Sequence, residues 1–252
     1  MDYLRSTRAT GSGSMAADGS SSKRGTLYGR SMGLFMKGDR VIVLDYHRRA
    51  GSEIVSHVIR DVRRKKTVYV ITIAGESGSG KSETAQAVAD DLAKFGIKSV
   101  LLGQDDYFVL PPKPNDQKRR EDPEWLGPHI EVKLDVLEHN LASAIRGQRE
   151  IVKPLVDYDS NTIGDETVNL DGIKVLIVEG TYTSLLKHVD TRVFICRDWL
   201  DTLEHRQKRK RGNEVGDPFI EQVLSIEHKI IAGHRQLADI LITKDYAVVF
   251  VD

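Results

Sequence analysis

The run Gly75-Glu76-Ser77-Gly78-Ser79-Gly80-Lys81-Ser82 has the spacing Gly-x4-Gly-Lys-Ser. That spacing makes a phosphate cradle. Its glycines let successive backbone N–H groups turn toward phosphate oxygens, and a helix opening at Lys81 adds the positive end of its dipole. Lys81 can reach the β and γ phosphates of a nucleoside triphosphate, and the Ser82 hydroxyl can ligate Mg²⁺. The run follows a β-branched stretch, residues 67–74, and leads into an amphipathic one. This context separates a phosphate loop from a chance Gly/Ser turn. The motif predicts triphosphate binding and leaves phosphoryl transfer, hydrolysis and a nucleotide switch all open.

Two further places could complete a transfer site. The apolar run 99–102 exits into Gly103-Gln104-Asp105-Asp106-Tyr107-Phe108. A carboxylate just past a core strand can accept the proton of an attacking hydroxyl and help to hold magnesium. Asp105 is the first candidate. Asp106 is the second, because adjacent residues point in different directions. The apolar run 174–178 ends in Glu179-Gly180, placing another carboxylate beside the loop as a magnesium partner. Arg206, Lys208, Arg209, Lys210 and Arg211 crowd a predicted helix that runs into Gly212 and Gly216. A hinged helical lid over about 199–217 would bring Arg206, Arg209 and Arg211 onto the transferring phosphoryl group.

The elements that must position these groups alternate between strand and helix. Residues 41–44, 67–74, 99–102, 174–178, 193–195, 240–242 and 248–251 read as strands. Helical spacing marks about 52–64, 81–95, 131–146, 199–211 and 218–232, and 151–170 reads as a hairpin. Residues 111–128, with five prolines and dense charge, read as a long irregular excursion of the kind that serves function. The pattern predicts an α/β fold: a P-loop NTPase-type parallel sheet with helices on both faces and a helical lid. The ligand should lie beyond the C-terminal strand ends. Residues 1–36, rich in Ser, Gly and Arg, read as a flexible leader. Residues 37–66 read as a strand–helix extension, and 67–252 as the catalytic domain.

Bulk properties narrow the partners. Lys plus Arg, 37 in all, balance 37 Asp plus Glu, so no global field draws the chain to nucleic acid or to an anionic membrane. No apolar run approaches the roughly 20 residues that span a bilayer. The single cysteine, Cys196, rules out an intrachain disulfide and favours a reducing, cytoplasmic setting. The eight histidines show no metal-ligand spacing. Trp125 and His129 read as packing and surface residues before they read as ligand contacts.

Together the loop 75–82, Gln104-Asp105 and its following aromatics, Pro154 with Tyr158-Asp159, and Val178-Glu179-Gly180 resemble the uridine kinase and phosphoribulokinase-like group of P-loop kinases. Arg211-Gly212, Glu221-Gln222 and Ala238-Asp239-Ile240-Leu241-Ile242 extend the resemblance, which covers roughly residues 67–245. It implies an ATP- and Mg²⁺-dependent kinase with Asp105 as catalytic base. Ser82, Asp105 and Glu179 would surround the metal, and the arginines would belong to a lid. It also implies a small-molecule hydroxyl acceptor, uridine- or cytidine-like or another sugar-containing metabolite. Tyr107, Tyr158 and Asp159, together with Glu121 or Asp122, would contact that acceptor. Uridine kinases frame the pyrimidine with a Phe, a His and an Arg where this chain reads Ser160-Asn-Thr-Ile-Gly-Asp165, so the reaction is better marked than the acceptor. A homo-oligomer stays open. The competing reading is a P-loop ATPase or switch with no small acceptor.

Overall fold

The computed structural model describes the backbone of residues 32–34 and the whole of residues 41–203 and 217–251. In chain order the elements begin with β1 (Met32–Leu34), α1 (Asp45–Arg64), β2 (Tyr69–Gly75), α2 (Lys81–Lys94), β3 (Ser99–Gly103), α3 (Pro112–Glu121) and α4 (Leu134–Ile145). There follow β4 (Glu150–Asp157), β5 (Thr162–Asn169), β6 (Val175–Glu179), β7 (Thr191–Ile195), α5 (Pro218–Ile231), β8 (Ile240–Ile242) and β9 (Val248–Phe250). The main sheet runs β1-β3-β6-β2-β7-β8-β9, parallel throughout except that β9 returns antiparallel to β8. β4 and β5 form a separate antiparallel hairpin.

The strands are apolar because both faces of the sheet are covered. Tyr69, Ile71 and Ile73 of β2 meet Ile54, Val55, Val58 and Val62 of α1 and Val88 and Leu92 of α2. Val70 and Ala74 join Leu137 and Leu141 of α4 on the other face. α1 and α2 lie close together at Gly51, where an added Cβ would sit 2.8 Å from the Ala87 carbonyl carbon. Among the described residues no helix is long and apolar enough to cross a membrane.

Three segments depart from the pattern read along the chain. The strand expected over 41–44 is not a strand among the described residues, and the first strand of the sheet is Met32–Leu34, in register with Val100–Leu102. An edge strand three residues long carries too little alternation to be read locally. α1 begins at Asp45, well before the expected 52, because Leu44 N donates to His47 Nδ1 and closes the first turn. The excursion 111–128 contains a helix, α3. Pro112 and Pro114 fall in its first turn, where backbone N–H groups need no intrahelical acceptor. The expected helix over 199–211 reaches the described residues only at its start.

Candidate phosphate and acceptor site

β2 ends at Gly75, and the chain turns through the loop into α2. Gly80 stands at φ +97°, and a Cβ there would lie 1.9 Å from the Tyr246 hydroxyl oxygen and 3.0 Å from His47 Nε2, so only glycine fits. Tyr246 donates its hydroxyl to the Ser79 carbonyl. Its ring packs edge-on against His47 and tilted against Tyr46, both from α1. The phosphate loop is thus buttressed from behind by the start of α1 and the β8–β9 turn. Removing the bond in Tyr246→Phe strands a buried carbonyl. It is expected to cost about 1–2 kcal/mol in chemical denaturation and to weaken ADP binding several-fold in calorimetry. Unchanged ADP affinity would separate this contact from the shape of the loop.

On the open side, Lys81 Nζ rests on the Glu76 carbonyl at 2.9 Å. The Ser82 hydroxyl donates to Glu179 Oε1 at 3.1 Å, so the first turn of α2 and the tip of β6 meet as expected. Asp105, half-buried in a single 3-10 turn at the tip of β3, lies close enough to act on Glu179. Burial pushes the Glu179 carboxyl well above the usual carboxylate range, repulsion from Asp105 adds to that, and Lys81 and the Ser82 bond oppose it. These are the conditions that a divalent cation relieves. Among the described residues no three His, Cys, Asp or Glu converge as a metal cage. The buried Ser79 Oγ, which has no hydrogen-bond partner among the described residues, leaves a further donor inside the cradle.

Other predicted residues fall in different places. Glu76 is buried, and its carboxylate accepts from Trp199 N at 2.6 Å and pairs with His228 Nδ1 at 2.6 Å. It therefore ties Trp199 and α5 to the loop with its side chain. Thr202 Oγ1 donates to the Ser77 carbonyl at 3.2 Å, a second tie between the loop and the segment after β7. Tyr107 does not line a pocket: it is fully buried, and its hydroxyl accepts from Asn140 Nδ2 at 3.0 Å. Asp106 is likewise fully buried, with Oδ2 2.6 Å from Lys153 Nζ and Oδ1 accepting from Val156 N at 3.1 Å. It anchors the β4–β5 hairpin to the turn that presents Asp105. Glu121 lies exposed on α3 and accepts from Gln117 Nε2 at 2.8 Å. The Asp122 side chain caps the short turn after α3 through Glu124 N at 3.1 Å. Neither is brought to the phosphate loop by these contacts. Tyr158 and Asp159 are exposed at the hairpin tip, where Asp157 Oδ1 accepts from Asp159 N. Arg206, Arg209 and Arg211 lie outside the described residues.

A cluster not anticipated from the sequence stands next to the loop. Arg119 of α3 binds Glu131 through Nε, at 2.8 Å, and a terminal guanidinium nitrogen, at 2.6 Å. Tyr182, just past the tip of β6, donates its hydroxyl to Glu131 Oε1 at 3.2 Å. Glu227 of α5 closes the group. The proline-rich excursion is thereby pinned over the strand tips, and Arg120 extends the contact to Asp217 Oδ2 at 3.2 Å and over the Phe219 ring. No single stretch of chain shows this cluster, because its members come from four segments.

With a phosphate loop, two carboxylates at neighbouring strand tips and a helical cover on the page, the family comparison decides the class. The Phosphoribulokinase / Uridine kinase family model matches residues 70–217. The chain belongs to this family. A uridine kinase from Geobacillus kaustophilus (strain HTA426) is 30% identical over 191 residues, 70% of this chain and 86% of that one. The bifunctional alpha-galactosidase/sucrose kinase AgaSK of Mediterraneibacter gnavus is 32% identical over 190 residues, 71% of this chain but only 20% of that much longer protein. A solved structure described as a possible uridine kinase from Bacillus stearothermophilus shares the fold. Its TM-score is 0.57 at 18% identity, covering 77% of this chain and 97% of the other. Members of the phosphoribulokinase/uridine kinase family are kinases that transfer phosphate to hydroxyl groups, and the parallel sheet with helices on both faces is the fold expected of them.

Proposed function

We propose that this family member transfers the γ-phosphoryl group of ATP, with Mg²⁺, to a hydroxyl of a nucleoside or related sugar-containing metabolite. The observation that carries the reading is the Ser82–Glu179 hydrogen bond beside Lys81, with Asp105 acting on the same carboxylate. In the transfer, the bond from the γ-phosphorus to the bridging oxygen of ADP breaks and a bond to the acceptor oxygen forms. Asp105 takes the acceptor's hydroxyl proton. Lys81 and the loop amides hold the β and γ phosphates. Ser82 and Glu179, with Asp105 nearby, are the residues that would hold Mg²⁺, which supplies charge neutralisation on the phosphates. Glu76 couples the loop to Trp199 and α5, and the arginines at 206, 209 and 211 are assigned to the charge on the transferring phosphoryl group. Exclusion of water from the site would suppress idle hydrolysis.

The test is a coupled ADP-release assay with ATP and Mg²⁺ across nucleosides and sugars, run beside a control lacking acceptor. Acceptor-stimulated release is expected. Release at the same rate in the control would replace the kinase reading with an ATPase or switch.

A further inference from the structure

Glu227 sits on the buried face of α5, 9% exposed, beside the residue that ties this helix to the phosphate loop. Its Oε1 is 4.0 Å from the Arg119 guanidinium, an ion pair too long to be a hydrogen bond. Its Oε2 is buried and has no hydrogen-bond partner among the described residues. Glu131, by contrast, is saturated by Arg119, Tyr182 and Gly127 N. Burial pushes the Glu227 carboxyl up to about 7. Arg119 and Lys81 pull against that rise while Glu131 and Asp105 add to it, which places Glu227 within electrostatic reach of both ends of the transfer site. A buried carboxylate oxygen without a donor is costly, and folds rarely keep one unless something else supplies the donor.

The charge around it says what kind of donor. Lys81 and Arg119 face Asp105, Glu131, Glu179 and Glu227. Lys81 and any Mg²⁺ would serve the triphosphate, and Arg119 is taken by Glu131. Among the described residues these two are the cations that act on Glu227, so an anionic acceptor would meet carboxylates there.

We propose, resting on the kinase reading above, that Glu227 is an acceptor-binding residue. Its free carboxylate oxygen takes hydroxyl hydrogens from an uncharged polyhydroxy acceptor, a sugar or nucleoside rather than a sugar phosphate or hydroxy acid. The Arg119–Glu131 pair then positions Glu227 and has no direct part in binding.

The experiment measures ADP release with uridine, fructose and sucrose against D-glycerate and ribulose 5-phosphate, in the wild type, Glu227→Gln and Glu227→Asp. Uncharged acceptors alone should stimulate release. Glu227→Gln should raise the acceptor KM roughly ten- to a hundred-fold, with the KM for ATP and the calorimetric affinity for ADP within two-fold of wild type. Its melting temperature should hold or rise, since a neutral amide relieves a buried charge. Glu227→Asp should fall between the two, and it carries the comparison if the amide variant does not fold. Stimulation by the anionic acceptors only, or an unchanged acceptor KM in both variants, overturns this inference and leaves the kinase reading standing. Release indifferent to every acceptor overturns both.

Discussion

Asp105→Asn is expected to lower acceptor-dependent kcat on the order of 10³-fold, the usual worth of a positioned general base, while ADP still binds. The isosteric amide keeps the shape of the turn and removes the carboxylate proposed to take the acceptor proton. Because Asp105 raises the Glu179 carboxyl by repulsion, its neutralisation relieves strain in the ligand-free protein. Thermal stability should therefore hold or increase. The combination of lost turnover, retained ADP affinity and undiminished melting temperature distinguishes a base from a scaffold residue. Wild-type turnover in this variant would remove Asp105 from the mechanism.

The adjacent residue should behave in the opposite way. Asp106→Ala leaves the Lys153 ammonium, whose side chain is 0% exposed, with Glu166 at 3.0 Å and the Pro154 carbonyl at 3.2 Å, and it strips the acceptor from Val156 N. Breaking one side of a buried ion pair costs about 3–5 kcal/mol. With Glu166 still in place, the lower end, about 3 kcal/mol, is expected, or roughly 6–12 °C in melting temperature for a chain of this size. Turnover at low temperature should fall less than in Asp105→Asn, since no reacting group is lost. Replacing the pair together, Asp106→Leu with Lys153→Met, should recover much of the stability, because two apolar side chains need no partner. Equilibrium denaturation of the three variants checks the series. A drop of less than about 1 kcal/mol in Asp106→Ala would mean that the hairpin is held by its own packing.

The contrast between these neighbours shows where reading along the chain runs out. Both stand past the same strand and are chemically identical, so one residue of sequence cannot say which turns inward. Asp106 is drawn to Lys153, 47 positions away, and only the docking of the hairpin makes that contact. The same reason hides Tyr107, whose aromatic ring after an aspartate reads as a substrate contact but fills the core over α4. It also hides Tyr246, which reaches the phosphate loop across 167 positions.

What the sequence determined by itself is local. A buried strand, a Gly-x4-Gly-Lys-Ser turn and a helix follow one another without interruption, so their geometry is set by residues a few positions apart. Glu179 and Asp105 were legible for a related reason, since parallel strands of matched length bring their C-terminal ends to one edge. Tertiary structure alone decided the charged cluster beside the phosphate loop. Arg119, Glu131, Tyr182 and Glu227 come from four separate segments. A buried charge is stable only where its partners converge in space, and spacing along the chain does not record that convergence.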